Sequence, residues 1–165
     1  MLKGFTLLES IVALAIISFI TALAIPFAHN FIALQSINSD LSKVTYAIES
    51  ARTYAIKTRQ DVTICGLDNT DNCHRDWKKI IVLDHDNQAI YRADLSNNYH
   101  TVTWSAFQKK PTLTIKPNGF TRHQNGTLYL CHKSDPNLHR AILINKTART
   151  RIQKATENIM QKCLY

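Results

Sequence analysis

The sequence predicts an α+β fold, in which a long N-terminal helix is followed by a domain of antiparallel strands. Apolar residues recur at three- and four-residue steps as far as about Lys57, which is the period of an amphipathic helix. From Asp61 onward the period changes to two, which is typical of half-buried strands. Clusters of Asn, Asp, Gly and Pro separate these short segments, as expected for turns between antiparallel strands.

The amphipathic helix is predicted over residues 30–57, directly after a more continuous hydrophobic stretch. Such an apolar stripe packs against a core more often than it forms a binding surface, so we expect it to cover the sheet. The stripe consists of Phe31, Leu34, Ile37, Leu41, Val44, Ile48, Ala51 and Ala55.

Short segments with a period of two predict the strands, and the segment Gln124–Gly126 is predicted to form a hairpin turn. The aromatic residues Trp77, Trp104, Phe107 and Phe120 are expected to pack in the core or on a sheet face, with base stacking as the alternative. The candidate strands are Val62–Cys65, Lys78–Leu83, Ala89–Arg92, Thr101–Trp104, Thr112–Lys116, Thr127–Cys131, Ala141–Asn145 and, as a further candidate, Arg149–Gln153.

The N-terminal stretch from Phe5 to Ile25 is mostly apolar, and Glu9 is its single charged residue. At about 1.5 Å per residue it spans roughly 30 Å, the thickness of a bilayer core, and Lys3 before it favours a cytoplasmic N-terminus. A secretory signal peptide cleaved near Ala22-Leu23-Ala24 and a plain single-span anchor are the two ordinary interpretations. Glu9 argues against both, because an acid inside such a segment is costly and needs a partner.

The four cysteines form no CxxC pair, so the spacing of a zinc site is absent and no metal site is predicted. An even number of cysteines after an export-type N-terminus indicates two disulfides in an oxidising compartment. Of the three possible pairings we expect Cys65–Cys73 and Cys131–Cys163, because near neighbours close most easily. The second bridge would hold down the C-terminal tail.

The chain is basic, with 20 Lys and Arg against 12 Asp and Glu and a net charge of +8. This balance suits an anionic partner such as nucleic acid, a lipid surface or an acidic protein, although a solvated basic surface is an equal alternative. The C-terminal basic segment, residues 139–165, has Glu157 as its only acid. Its cations are Arg140, Lys146, Arg149, Arg151, Lys154 and Lys162.

Arg149 and Arg151 would point to the same face if their segment is extended. Two guanidinium groups on one face suit adjacent phosphates, because each offers a planar fork of donors. Thr147 and Thr150 would add hydroxyl donors, and Asn145 an amide. A solvated strand face is the plain alternative.

The segment Gly4-Phe5-Thr6-Leu7-Leu8-Glu9 resembles the prepilin cleavage and methylation site of type IV pilins and type II secretion pseudopilins. The resemblance implies that a prepilin peptidase cuts after Gly4, that Phe5 is N-methylated and that Glu9 pairs with the N-terminal amine of a neighbouring pilin subunit. It implies a leader (residues 1–4), a transmembrane and filament-core helix (5–29) and a globular domain (30–165) in the periplasm. Such a protein resides in the bacterial inner membrane with a single span and assembles into an extracellular or periplasmic pilus.

The internal segments resemble, in order, the GspH/FimT type of pilin. The resemblance implies a type IV pilin-like fold, with the long helix packed on an antiparallel sheet. The matching segments are Ala55–Arg59 leading into Val62–Cys65, Cys73 followed by Trp77, Ile115–Phe120, Gly126–Cys131, and Ala141–Asn145 leading to Arg149–Arg151.

The C-terminal motif of this type usually reads Gly-Arg-x-Arg, and here Ala148 stands in place of the glycine. The resemblance implies sequence-independent DNA binding at Arg149 and Arg151 and a role in DNA uptake during natural transformation. Lys146, Lys154 and Arg140 are added to the site from charge and proximity alone. The alternative is a structural pseudopilin of type II secretion, or a pilus-priming minor pilin, that binds no nucleic acid. Neither hypothesis implies an enzyme or a cofactor.

Overall fold

The protein is described by a computed structural model that covers residues 7–68 and 70–164. The chain divides into two compact units, and the boundary between them falls between Ser36 and Ile37. Helix α1, Leu7–Thr58, contributes residues to both units. Nowhere in the two described ranges does a helix have the length and the apolar character needed to cross a membrane.

In the first unit, α1 carries large apolar side chains that are exposed along its length, such as Leu14 and Phe19. The hydroxyls of Ser18 and Thr21 donate to backbone carbonyls one turn earlier in the helix, at 2.8 Å and 3.0 Å. The helix therefore satisfies these two hydroxyl groups by itself.

In the second unit, α1 buries an apolar stripe that begins at Ile37 and not earlier. The prediction was wrong for Phe31 and Leu34, which are exposed and belong to the first unit, whereas the buried stripe belongs to the second unit. The buried positions recur at helical spacing, which explains how one face of the helix packs on the core. They are Ile37, Leu41, Val44, Ala47, Ile48, Ala51 and Ala55.

The described strands form two sheets, and every strand pairing is antiparallel. In the first sheet the order is β2-β1-β3-β4, and β6 also pairs with β1. In the second sheet the order is β5-β7-β8-β9. The strands are β1 (Val62–Leu67), β2 (Cys73–His74), β3 (Lys79–Leu83), β4 (Ala89–Asp94), β5 (Tyr99–Ala106), β6 (Thr112–Ile115), β7 (Gly126–His132), β8 (Arg140–Ile144) and β9 (Thr150–Lys154).

The core of the second unit combines the helix stripe with residues of both sheets. Trp77 and Trp104 are fully buried, and their rings stack with centroids 5.1 Å apart, which confirms their expected place in the core. The same expectation was wrong for Phe107 and Phe120, which are 73% and 47% exposed.

Among the described residues, the sequence patterns missed three short elements: β2, a 3₁₀ helix over Pro136–Leu138 and a C-terminal helix α2, Glu157–Cys163. They also misplaced a turn, because Gln124–Gly126 is not a hairpin: β6 pairs with β1 and not with β7. Gly126 instead begins β7, where a Cβ atom would collide with the backbone of Ser105 and Ala106 and with the Trp104 ring. The absence of a side chain at Gly126 allows β7 to lie close to β5.

Both disulfides join the cysteines as expected from the sequence. Cys65–Cys73 links β1 to β2 across a short loop. Cys131–Cys163 links β7 to the last residue of α2. The second bridge therefore fixes the C-terminal helix to the second sheet.

Candidate nucleic-acid interface

Arg149 directly precedes strand β9, Arg151 lies within it, and both arginines line one groove of the second sheet. Arg151 is paired with Leu143 of β8, and Leu143 is paired with Thr127 of β7, so these side chains share a face. Ile152 projects to the opposite face, where it lines a depression with residues of α1. The register describes Arg151 alone, and Arg149 lies beside it as a second residue that lines the groove.

An open groove of about 380 Å³ lies where β7, β8 and β9 meet the β8–β9 turn. Both arginines line it, and both are exposed. The other lining residues are neutral, with amide and hydroxyl groups on its rim. They are Asn125, Gly126, Thr127, Leu143, Ile144, Asn145 and Thr150.

The β8–β9 turn is organised by the side chain of Asn145. Its Oδ1 atom accepts hydrogen bonds from the amide of Thr147 (3.0 Å), the hydroxyl of Thr147 (2.8 Å) and the amide of Arg149 (2.9 Å). An Asn that satisfies neighbouring amides in this way closes a turn without further packing. Thr147 does not line the groove, and its hydroxyl donates within the turn and not to a ligand, as the sequence had predicted. Asn145 lines the groove, and its Oδ1 atom accepts bonds of the turn.

Ala148 occupies the position where the family motif usually has glycine, and its φ is +55°. Its amide donates to the Asn145 carbonyl at 3.0 Å, and its side chain is 2% exposed. The turn thus keeps the left-handed conformation that glycine adopts without cost. In this conformation alanine has a less favourable backbone energy than glycine, and its methyl group is buried.

The two predicted lysines, Lys146 and Lys154, lie in different positions relative to the groove. Lys146 is exposed in the turn, beside the groove. Lys154 is exposed but lies on the same face as Ile152, opposite to the arginines, because side chains alternate along β9. The structure therefore brings Lys146 toward the groove and leaves Lys154 outside it.

Arg140 does not contribute to this surface, contrary to the sequence expectation. It is 8% exposed, and its guanidinium donates to the carbonyls of Asn137 (2.9 Å) and His139 (2.7 Å). It pairs in register with Lys154, on the face away from the groove. Its charge is used to satisfy the buried backbone before β8.

Among the residues that the structure describes, the groove is lined by two cationic side chains and by no acidic one. Between Leu95 and Thr156 the sequence has a single acid, Asp135. Within the described ranges, the ion pairs are formed by Lys43, Lys78 and Lys116, and so none neutralises the arginines of the groove. Two exposed guanidinium groups without an acidic neighbour are well suited to hold phosphate oxygens.

The remaining predicted residues lie elsewhere. Gly4 and Phe5 fall outside the described residues. Glu9 is in the first turn of α1 and is exposed. No group of histidine, cysteine or acidic side chains able to hold a metal ion occurs within residues 7–68 and 70–164.

Two sequence families match the chain. The sequence-family model of the type II transport protein GspH matches residues 42–148, which is more than half of the chain. The prokaryotic N-terminal methylation motif matches residues 3–25, which include Gly4, Phe5 and Glu9. The GspH match ends at Ala148, so the two arginines of the groove lie just beyond it. No curated protein matches the chain.

The fold is similar to that of the type IV minor pilin FimU of Pseudomonas aeruginosa strain PAO1, in two crystal forms. The P65 form has a TM-score of 0.54 and 17% identity, over 70% of this chain and 91% of FimU. The P21 form has a TM-score of 0.55 and 16% identity, over 78% of this chain and 92% of FimU. At such low identity the likeness shows the fold, an N-terminal helix followed by an antiparallel β-sheet domain of the type IV pilin kind. Because the GspH family model matches 107 residues of the chain (42–148), the chain belongs to the GspH family of type II transport proteins.

Proposed function

We propose that this protein is a minor pilin that binds DNA without sequence preference through the groove at Arg149 and Arg151, and that it supports DNA uptake in natural transformation. The observation that carries the proposal is the open groove of about 380 Å³ in which two exposed arginines meet no acid. A groove of this kind binds the backbone of a polyanion and has no apolar pocket for a small substrate.

The chemistry follows from the arginines. Each guanidinium donates two parallel hydrogen bonds to phosphate oxygens, and such contacts position a nucleic acid without reading its bases. Binding through a few phosphates releases counterions, so the affinity falls steeply as salt rises. Roughly micromolar or weaker dissociation constants are expected for a single copy.

The N-terminal methylation motif supports assembly of the protein into a filament. We propose that prepilin peptidase cleaves after Gly4, that Phe5 becomes the methylated N-terminus, and that Glu9 pairs with the amine of a neighbouring subunit. The protein would reside in the inner membrane before assembly. Several copies along one fibre, or other DNA-binding subunits nearby, would raise the avidity for a long DNA molecule.

Fluorescence anisotropy with the full chain in detergent tests the DNA-binding step. We expect similar affinities for two duplexes of unrelated sequence, and a drop of at least about tenfold in the Arg149→Gln/Arg151→Gln variant. A matched control removes two exposed cations of the first sheet, in Lys79→Gln/Arg92→Gln, and should bind almost as well as the wild type. If both double variants lose the same affinity, only net charge matters and the groove is not the site.

A structural subunit of a type II secretion filament is the second candidate, favoured by the GspH family match. In that case the basic C-terminal segment would contact an acidic partner subunit. This alternative predicts no DNA binding even at low salt. It also predicts that the Arg149→Gln/Arg151→Gln variant fails in filament assembly and not in DNA uptake.

A further inference from the structure

The exposed ring of Phe107 lies at the same end of the second sheet as the groove. It follows the last residue of β5, and its amide donates to the carbonyl of Asn125 at 3.5 Å. Asn125 itself lines the groove. The backbone of Phe107 is therefore hydrogen-bonded to a residue of the groove that Arg149 and Arg151 also line, and the Phe107 side chain is 73% exposed.

The register of the sheet gives the distance across this end. Ala106 pairs with Gly126, Gly126 with Ile144, and Ile144 with Thr150. Neighbouring strands lie about 4.8 Å apart, so roughly 14 Å separate the β5 edge from the β9 edge. An extended strand of nucleic acid a few nucleotides long can contact both edges at once.

The loops between these strands add positive charge. Lys109 and Lys110 are exposed in the loop after β5, separated from Phe107 by Gln108, and Arg122 is exposed in the β6–β7 loop. That loop is joined to the β8–β9 turn, because the amide of Thr121 donates to the carbonyl of Lys146 at 2.8 Å. The cations of three separate loops therefore border the same end of the sheet.

The backbone holds Phe107 in an open position. The amide of Lys109 donates to the carbonyl of Ala106 at 3.1 Å, which closes a tight turn around Phe107 and Gln108. Gln108 and Lys109 both have positive φ, of 58° and 53°, an unfavourable conformation for residues other than glycine. Such a turn, with an exposed ring beside paired lysines, has the composition of a site that contacts a base and its phosphates.

We propose that Phe107, with Lys109 and Lys110, forms a base-stacking platform that extends the arginine groove into a track for single-stranded nucleic acid. The inference rests on the proposed DNA binding at Arg149 and Arg151 and gives it a preferred ligand. Bases in a duplex are stacked on each other, whereas those of a single strand present a π face to an aromatic ring. The protein then binds single strands more tightly than duplexes of the same length.

The test compares three probes with the full chain in detergent: an oligothymidylate, an abasic oligomer of equal length and a duplex. The abasic probe keeps the phosphates and lacks the bases. We expect the wild type to bind the oligothymidylate most tightly. Phe107→Ala should weaken binding of the oligothymidylate by about tenfold and leave the abasic and duplex affinities unchanged, given the usual strength of a base–aromatic contact.

Two further variants complete the experiment. Phe107→Trp keeps a stacking ring and should restore the oligothymidylate affinity, whereas Tyr46→Ala removes an exposed ring on α1 and should change nothing. Equal binding of the oligothymidylate by Phe107→Ala and the wild type overturns the platform, as does a failure of Phe107→Trp to restore it. If Phe107→Ala instead impairs filament incorporation with unchanged DNA affinity, the ring contacts a neighbouring subunit and the platform is wrong.

The two proposals fail in different ways. If Arg149→Gln/Arg151→Gln binds every probe as tightly as the wild type, the proposed function is wrong. If that variant is weakened on all three probes while the wild type binds the oligothymidylate and the abasic oligomer equally, only the stacking platform is wrong.

Discussion

The Oδ1 atom of Asn145 accepts a hydrogen bond from the amide of Arg149 at 2.9 Å, so the side chain that closes the β8–β9 turn also fixes the first arginine of the groove. Thr147 donates to the same oxygen from its amide and its hydroxyl. The conformation of the β8–β9 turn and the position of the Arg149 backbone therefore both depend on the side chain of Asn145. A change at Asn145 should affect both the stability of the turn and the affinity for DNA.

Replacing Asn145 by alanine removes all three of these bonds. We expect the free energy of unfolding to fall by about 1–2 kcal/mol, because three hydrogen bonds are lost at an exposed site, each worth a fraction of a kcal/mol to about 1 kcal/mol net. The affinity for duplex DNA should fall by several-fold, since Arg149 is no longer held. Denaturant unfolding and anisotropy measure the two effects.

Asn145→Asp is the informative companion variant. It keeps an acceptor for the turn, so stability should stay close to wild type, but it places a negative charge beside Arg149. DNA affinity should fall at least as far as in the alanine variant. Unchanged affinity in Asn145→Asp would contradict a role of this turn in binding phosphate.

Ala148 offers a test of the turn that is independent of DNA. Its φ of +55° is tolerated by alanine at a cost, but a β-branched residue has no low-energy conformation there. Ala148→Val should therefore lower the free energy of unfolding by about 2 kcal/mol or more. Thermal unfolding measures this loss.

Ala148→Gly should be close to neutral. Relief of the left-handed conformation contributes about 1 kcal/mol, and loss of the buried methyl costs about 0.8 kcal/mol. A large stabilisation by glycine would show that the methyl contributes little to the core. A large destabilisation would show that the packing of this methyl matters more than the turn.

Two histidines near β8 predict a dependence of stability on pH. The amide of His132 donates to Nδ1 of His139 at 2.9 Å, and Nδ1 of His132 accepts from the amides of Ser134 (3.3 Å) and Asp135 (3.2 Å). Both Nδ1 atoms must be unprotonated for these bonds. Burial lowers the pKa of both histidines below the usual value, and the neighbouring Arg140 acts in the same direction.

The folded protein therefore binds these protons less readily than the unfolded chain. The contribution of the two histidines is fully present above the unfolded pKa of about 6.5 and is lost as the pH falls below it. We expect a lower free energy of unfolding at about pH 5.5 than at about pH 7.5. His132→Asn/His139→Asn keeps an acceptor near each Nδ1 position and should reduce this difference. A pH dependence identical to wild type in that variant would exclude the pair as its cause.

The disulfide Cys131–Cys163 closes a loop with a sequence separation of 32 and holds α2 on the second sheet. Cys131→Ser/Cys163→Ser should lower the free energy of unfolding by about 3–4 kcal/mol. Limited proteolysis should then cut first near Glu157, at the start of α2. DNA affinity should change less than twofold, because no residue of α2 lines the groove. A loss of DNA binding equal to that of the arginine variant would indicate that α2 supports the site.

Local sequence patterns correctly predicted the boundary between the helix and the strands and both disulfides. The switch of period at Asp61 predicted where the helix gives way to strands, and α1 ends at Thr58, followed by β1 from Val62. Cysteine spacing indicated the two bridges that the structure contains. These signals are local, because they depend on backbone period and on the ease of closing a loop.

The same patterns failed where burial depends on distant segments. Phe31 and Leu34 continue the helical stripe but are exposed, and the buried core of the second unit begins at Ile37. Arg140 and Arg149 are indistinguishable as cations in the sequence. Only the tertiary structure places Arg140 in a buried hydrogen-bond network and Arg149 beside an open groove.

By itself, the sequence determined the order of helix and strands, the cysteine pairs and the position of the arginine motif, because each is set by spacing along the chain. Only the tertiary structure decided that Phe107, Arg122 and Lys146 lie at one end of a sheet. They come from three loops, and the pairing of β5 with β7 and of β7 with β8 brings those loops together. Long-range pairing has no signature in local sequence, because it follows from which strands share the core.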